Sequence, residues 1–401
     1  MQKYLEVFIG NVKVGEITLL ANERSLFVFS DAYLSMKDKP ILSQSFFDTT
    51  GHIIAETKIV QTKLPPFFSN LLPEGHLREY VAQQGGINKQ SEFKLIKLLG
   101  RDLPGNVIIK ANDNFYVNNI EEAKPMNIEN QIYRFSLAGV QLKFSAIIEN
   151  NGGLTIPVSG LGGDWIVKLP SQKFNAVPEN EFSMMQLAKE IGIKVPEISL
   201  IDMSKVSGLP KLGILASNKA FAIKRFDREQ SKRIHIEDFA QVFGVFPNNK
   251  YDKASYDNIA NMIQSLTGHD GIVDFIRRLV FNIIIGNGDM HLKNFSFIYL
   301  DGKTPQLAPA YDFVSTIVYI PNDKLALNLA GEKDMYKISL ASFAKFAKKS
   351  GIPKSLVIDT VKETIDSTLT AWNKNKYNYP LPNSIVDGID HHISKLTLVQ
   401  K

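Results

Sequence analysis

The chain contains no cysteine in 401 residues. That absence excludes disulfides, thiolate metal sites and a cysteine nucleophile, and it suits a reducing compartment. No stretch approaches the roughly 18 apolar residues of a membrane span. The opening MQKYLEVFIGNVKVGEITLL is interrupted by charges throughout and lacks the apolar core of a signal peptide. The expectation is therefore a soluble, cytoplasmic protein without membrane contact. Internal repeats and low-complexity tracts are also absent. No sign of charge dominates: a net +5 permits an acidic ligand or nucleic acid without arguing for either. His52 and His76 stand alone, and a lone histidine is most often structural. What the chain does have is 44% hydrophobic residues, ample for buried cores, and a length that suggests two or three domains.

The most informative stretch is GNGDMHLKNFSFIYLDGKTPQLAPAYDFVST, residues 286–316. Before it, Ile272, Phe275, Ile276, Leu279 and Ile283 recur at helical spacing, and Gly286 and Gly288 end that helix. Asp289 thus leaves a buried helix on a tight turn. FSFIYL reads as a strand, DGKT as a turn and PQLAPAYDF as a return strand. Asn294 and Asp312 are expected at neighbouring strand ends, facing one space. Singly, each of these three residues is an ordinary turn or loop residue. Together they form the set that phosphoryl transfer requires: one carboxylate for the attacking hydroxyl, and an amide oxygen and a second carboxylate for magnesium.

Along the chain, YLEVFIG, VKVGEITLL and SLFVFS read as strands with a turn near Gly10-Asn11. LPPFFSN opens as a loop. A helix carrying Leu77, Tyr80 and Val81 ends at Gly85-Gly86, and a second over SEFKLIKLLG has Ser91 as its N-cap. Residues 1–108 form a small α+β module, and a polar linker follows at 109–130. RFSLAGVQLKFSAIIE is strand, turn, strand, and LTIPV pairs back. WIVKLP is a short strand carrying Lys168, which is either an edge gatekeeper or the strand lysine that meets nucleotide phosphates. Gly139, unlike Gly160, lies a strand and a turn ahead of that lysine. SLAGVQLK is therefore assigned as the phosphate loop. PENEFSMMQLAKEIGI is a helix with Glu181 in its first turn, there to pair with Lys168 or to complement the helix dipole. VPEISLIDM, KLGILAS and FAIKRFDR read as strands, the last ending in Lys224-Arg225-Phe226, a hinge offering backbone groups to an adenine edge. Residues 234–285, including IHIEDFAQVFGV, and most of 335–401 read as helices. The fold class is α+β: a two-lobed protein-kinase-like fold, with an N-lobe at 109–226, a mostly helical C-lobe at 227–401 and the extra N-terminal subdomain.

These motifs, in this order, resemble the HipA-type serine/threonine kinases, toxins of bacterial toxin–antitoxin pairs. NLLPEG, SLAGVQLK, WIVKLP, ENEF, KRFDR, IHIEDFAQ, GDMHLKNFS and LAPAYDFVS carry the resemblance over nearly the whole chain. It implies ATP and Mg2+ as cofactors and Asp289 as catalytic base. Asn294 and Asp312 would bind the metal. Ala138, Gly139, Val140, Gln141, Leu142, Lys143 and Lys168 would contact phosphates. Lys224, Arg225 and Phe226 would border adenine, with His291, Leu292, Lys293 and Tyr311 beside the nucleotide. Ser136 matches a phosphate-loop serine that is autophosphorylated, and the added charge would repel ATP. Two positions depart from the family: Met290 stands where glycine is frequent, and Lys224 where an acid is common. The resemblance also implies a helix-turn-helix antitoxin partner, DNA contact only through it, and a protein substrate such as an aminoacyl-tRNA synthetase. The residues alone leave open a small-molecule or lipid kinase, and a catalytically silent corepressor.

Overall fold

The structure is a computed structural model that describes residues 3–111, 143–148, 154–155, 163–209, 215–229 and 232–400. The chain opens with a meander of β1 (Lys3–Ile9), β2 (Val12–Leu19) and β3 (Arg24–Phe29). Gly10 makes the first turn at φ +56°, a region that glycine enters without steric cost. With β4 (Val60–Gln61) and β5 (Val107–Ala111) the sheet runs β4-β3-β2-β1-β5. Alternation buries Leu5, Val7 and Ile9 on one face, where they join Phe27, Phe67, Phe68, Leu95 and Ile96 in an apolar core of their own. Helices α1 (Asp31–Ser35), α2 (Pro66–Ser69), α3 (Gly75–Gln84) and α4 (Glu92–Leu99) complete this part. Two details differ from expectation. The prolines at 65 and 66 start α2, because proline's fixed φ suits a first helical turn. Ser91 holds the N-cap position of α4 without a side-chain cap bond. The Glu92 carboxylate there accepts instead from Leu64 N–H and the Ser69 hydroxyl.

The second sheet contains β6 (Lys143–Ile148), β7 (Leu154–Thr155), β8 (Trp165–Lys168), β9 (Ile198–Asp202), β10 (Val206–Ser207) and β11 (Lys219–Lys224), in the order β10-β7-β6-β8-β11-β9. Lys168 thus lies on an interior strand, which removes the edge-gatekeeper reading. Helix α5 (Val177–Glu190) buries Met184, Leu187 and Ala188 as its spacing demands. The strand expected over KLGILAS falls partly outside the described residues, and 215–217 are not in a strand. A small hairpin, β12 (Arg228–Glu229) with β13 (Lys232–Arg233), follows the hinge.

The remaining half contains α6 (Phe239–Val242), α7 (Tyr256–Ile285), α8 (Leu340–Lys349), α9 (Lys354–Asn375) and α10 (Asn383–Lys395), with β14 (His235–Asp238), β15 (Ser296–Tyr299) and β16 (Gln306–Leu307) forming a sheet in that order. A break at Gly268, φ +68°, divides α7. Its second part buries Ile272, Phe275, Ile276, Leu279 and Ile283 as the spacing required. Two expectations are corrected here. The helix over IHIEDFAQVFGV begins only at Phe239, since 235–238 pair with β15. Its inward residues, His235 and Glu237, are polar, so hydrophobic periodicity does not register the strand. The return strand stops at Leu307; Ala308 N–H still bonds the Ser296 carbonyl, and Pro309 after it has no N–H to donate.

Glu237 is fully buried and accepts from Ser43 Oγ at 2.5 Å, Gln44 N–H at 3.0 Å and Tyr299 Oη at 2.5 Å, joining the N-terminal part to β14 and β15. Burial pushes its carboxyl up to about 7, against the three donors. A carboxyl with a higher pKa folded than unfolded holds its proton more tightly when folded. Its contribution is complete below the ordinary carboxylate range and is lost as pH rises through about 7. Melting followed by circular dichroism should fall between pH 5 and 8 by an amount worth up to about 3 kcal/mol from this group. Glu237→Gln should flatten that dependence; an unchanged slope would remove Glu237 as its source.

Candidate active site

The site is built from the C-terminus of α7. Gly286 terminates the helix in the left-handed region at φ +69°, and a Cβ there would lie 2.4 Å from Ile317 Cγ2. The chain then turns through Asn287 and Gly288 to Asp289. Asn287 is completely buried and makes three bonds. Its Nδ2 donates to Asn282 Oδ1 at 2.9 Å and to the Asp312 carbonyl at 3.2 Å, and its Oδ1 accepts from Asp289 N–H at 3.0 Å. One carboxamide therefore links the helix end, the turn bearing Asp289 and the loop bearing Asp312. Sequence reasoning passed over Asn287; a polar residue between two helix-ending glycines is the signal that could have found it.

Solvent reaches the Asp289 side chain, although protein atoms crowd it. That crowding raises its pKa above the ordinary carboxylate value, and a bond donated by Tyr251 Oη to Oδ1 at 2.7 Å works the other way. Asn294 lies in the 3-10 turn Leu292–Asn294, and its Nδ2 donates to the Asp289 carbonyl at 2.8 Å, which turns the amide oxygen to the opposite side. Asp312 adopts φ +60°, uncommon outside glycine. Its Oδ1 accepts from the Lys168 ammonium and its Oδ2 from Lys143 Nζ at 3.1 Å. Lys168 is 4% exposed and also pairs with Glu181, so of the two readings of Glu181 the pairing is the one observed. Burial opposes charge on both Lys168 and Asp312. The neighbouring opposite charges override it, raising the lysine's pKa and holding the aspartate far below its usual range.

The structure therefore brings together Asp289, Asn294, Asp312, Lys168 and Lys143. Tyr311 supports them: its hydroxyl lies 2.6 Å from Ser296 Oγ, donates to the Lys293 carbonyl at 2.9 Å, and its ring packs 5.7 Å from that of Phe226. His291 Nδ1 accepts from Lys293 N–H at 3.2 Å, and burial pushes the imidazole down to about 3.

Other expected positions turn elsewhere. Leu292 is fully buried in the helical half's core. Lys293 directs its ammonium to Glu74 Oε1 at 2.7 Å and to the Asn70 carbonyl at 3.1 Å. Lys224 pairs at the surface with Glu197 at 3.2 Å. Arg225 is buried on Asp227, with bonds of 3.0 and 2.8 Å. The backbone N–H groups of Lys224 and Arg225 are bonded to the Glu197 and Asp164 carbonyls at 2.8 and 2.7 Å. These two donors are thus used within the protein, by residues that flank β9 and β8. Ser136, Ala138, Gly139, Val140, Gln141 and Leu142 lie outside the described residues.

Among the described residues, no group of three or more His, Cys, Asp or Glu side chains could hold a metal ion. The Asn294 amide oxygen and the Asp312 carboxylate are hard donors, and two such donors suit Mg2+, which takes its other ligands from water and phosphate. A buried lysine on a central strand, its helix acid, a carboxylate beyond a helix end and a second carboxylate on that lysine fit a two-lobed α+β scaffold of the protein-kinase kind. The sequence narrows this further. Residues 5–110 match the HipA N-terminal domain, and residues 135–372 match the HipA-like C-terminal domain. The chain is 46% identical over 400 residues to Y4dM of Sinorhizobium fredii, classed as a kinase, covering 99% of this chain and 98% of that one. It is 25% identical to the serine/threonine-protein kinase toxin HipA of Shewanella oneidensis, covering 89% and 86%. Its fold is similar to that in the Shewanella oneidensis MR-1 complex of HipA, HipB and operator DNA, with a TM-score of 0.74 at 22% identity over 98% and 96% of the chains. The chain belongs to the HipA family and is a HipA-type kinase.

Replacing Lys168 by Met would leave the buried Glu181 without its cation. Thermal or urea melting should register a loss on the order of 3 kcal/mol. Lys143→Met, at a half-exposed position, should cost less than about 1 kcal/mol. Equal losses would mean that Lys168 has no special structural weight.

Proposed function

We propose that the chain is an ATP- and Mg2+-dependent serine/threonine protein kinase. In this reading it is the growth-inhibiting toxin of a toxin–antitoxin pair. The observation that carries the proposal is the position of Lys168 between Glu181 and Asp312, with Asp289 tied to the Asp312 loop through Asn287. An acceptor hydroxyl oxygen attacks the γ-phosphorus, its proton passes to the Asp289 carboxylate, and the bond to the β-phosphate oxygen breaks to release ADP. The raised pKa of Asp289 helps it hold that proton. Lys168 and Lys143 supply positive charge to phosphate oxygens, and Asn294 and Asp312 hold the metal. Mg2+, when bound, neutralises phosphate charge. Most of the catalysis is then positioning and electrostatics.

The regulatory part of the proposal rests on resemblance. Ser136 would be the autophosphorylated residue of the phosphate loop. A helix-turn-helix antitoxin, comparable with the HipB present in the Shewanella oneidensis complex, would bind the chain and carry any DNA contact. The substrate would be a protein, with an aminoacyl-tRNA synthetase as the family's example, and the setting the cytoplasm. We divide the chain into 1–108, 109–226 and 227–401; the first part has a separate apolar core over residues 5–109, and its strand β5 runs on past the first boundary to Ala111.

Incubation with γ-labelled ATP and Mg2+, followed by mass spectrometry, tests activity and Ser136 together. The native chain should acquire one phosphate at Ser136 and label protein bands in a lysate. Asp289→Asn should reduce transfer by a factor of about 100 or more while calorimetry finds ATP binding retained. Asp312→Asn should weaken Mg2+-dependent nucleotide binding instead. Full transfer by Asp289→Asn would remove the assignment, and label confined to small molecules would move the substrate out of the protein class.

A further inference from the structure

Tyr251 belongs to none of the motifs that identify the family here. It stands between the 3-10 turn Pro247–Asn249 and α7, 38% exposed, with its hydroxyl on Asp289 Oδ1 at 2.7 Å. The ring is held on two sides. It packs edge-on against His291 at 5.0 Å and 80°, and the Lys250 ammonium lies 5.6 Å from its centre. Lys250 Nζ in turn bonds Glu74 Oε2 at 2.8 Å, and Lys293 Nζ takes the other oxygen of the same carboxylate at 2.7 Å. Glu74 therefore ties the turn bearing Tyr251 to the loop bearing Asp289, and those two lysines hold its own carboxyl down to about 2, against burial.

A carboxylate rotates easily about its terminal torsion and can present either oxygen to a substrate. A phenol donating to Oδ1 from an anchored ring fixes that torsion and leaves Oδ2 as the oxygen to meet an acceptor hydroxyl. We propose that Tyr251 is a positioning residue for Asp289, set in place by the Glu74–Lys250 contact, and that it orients the base for proton transfer. The proposal deepens the kinase reading above and rests on it. The anchoring argues against a gate: a ring that merely blocked the base would need to swing away, and His291 and Lys250 both hold it.

The test uses the full chain with Mg2+ and γ-labelled ATP. It reads the single-turnover rate of phosphate release to water and of transfer onto the chain itself. ATP affinity is measured separately by calorimetry. Tyr251→Phe keeps the ring on His291 and removes only the hydroxyl, so its melting temperature should stay at the native value. Its transfer rate should fall about tenfold or more with ATP affinity within about twofold, because a misoriented base costs rate and not binding. In an Asp289→Asn background, Tyr251→Phe should cause no further loss, since the two act as one unit. A Phe variant as fast as native, or faster, overturns the proposal. So does a fall in ATP affinity that matches the fall in rate, or losses that multiply in the double variant. A native chain that binds ATP and transfers nothing overturns the kinase reading and this proposal with it. An active native chain with an unimpaired Phe variant overturns this proposal alone.

Discussion

The buried ammonium of Lys168 is the constraint on which the cleft depends. A lysine at 4% exposure cannot stay charged without partners, and it has two, from different parts of the chain. Glu181 comes from α5, packed on the same sheet, and Asp312 from the loop after β16 in the helical half. Satisfying one charge therefore fixes the sheet, the helix and the loop relative to one another. The same contacts bear on function. Asp312 has both carboxylate oxygens bonded to lysines, and each oxygen keeps a further lone pair. In the proposed function the two lysines would meet phosphate oxygens and that carboxylate a cation.

Around that cluster, position is set by small polar groups more than by apolar packing. Asn287 holds two loops with one side chain, and Gly288 lets the segment at Asp323 approach: a Cβ there would lie 2.2 Å from Asp323 Oδ2. The N-terminal part keeps its own apolar core and is fastened to the rest by acids. Glu74 takes Lys250 and Lys293. Asp102 takes Arg228 and Arg233, and Glu237 receives Ser43 and the Gln44 amide. Asp227 binds Arg225 at the hinge and also accepts from Gly105 N–H at 2.8 Å. Such polar fastening fits a module that retains its own fold while touching both the hinge and the catalytic loop.

Legibility followed the kind of signal each element carries. The helix before Asp289, α5 and the opening meander bury apolar residues at regular spacing, and that spacing is local. The segment at 235–238 turns His235 and Glu237 inward, so its strand exists only through pairing with β15 and through partners nearly two hundred residues away. The return strand read through to Phe313 because its composition is apolar, yet proline and the left-handed Asp312 end it early. At the hinge, two of the backbone donors expected to face adenine, those of Lys224 and Arg225, are already bonded within the protein.

From the sequence alone came the class of fold, the resemblance to the family and the expectation that Asp289, Asn294, Asp312 and Lys168 act together. The motifs that carry them are short runs of residue types met in a fixed order along the chain. Tertiary structure decided which charges meet. It chose Glu181 as a partner of Lys168, turned Lys293 and Arg225 into fasteners, and placed Tyr251 and Asn287 on the acid and its loop. Those outcomes depend on distances between segments far apart in the chain, and a buried charge has no preferred partner until folding brings one within reach.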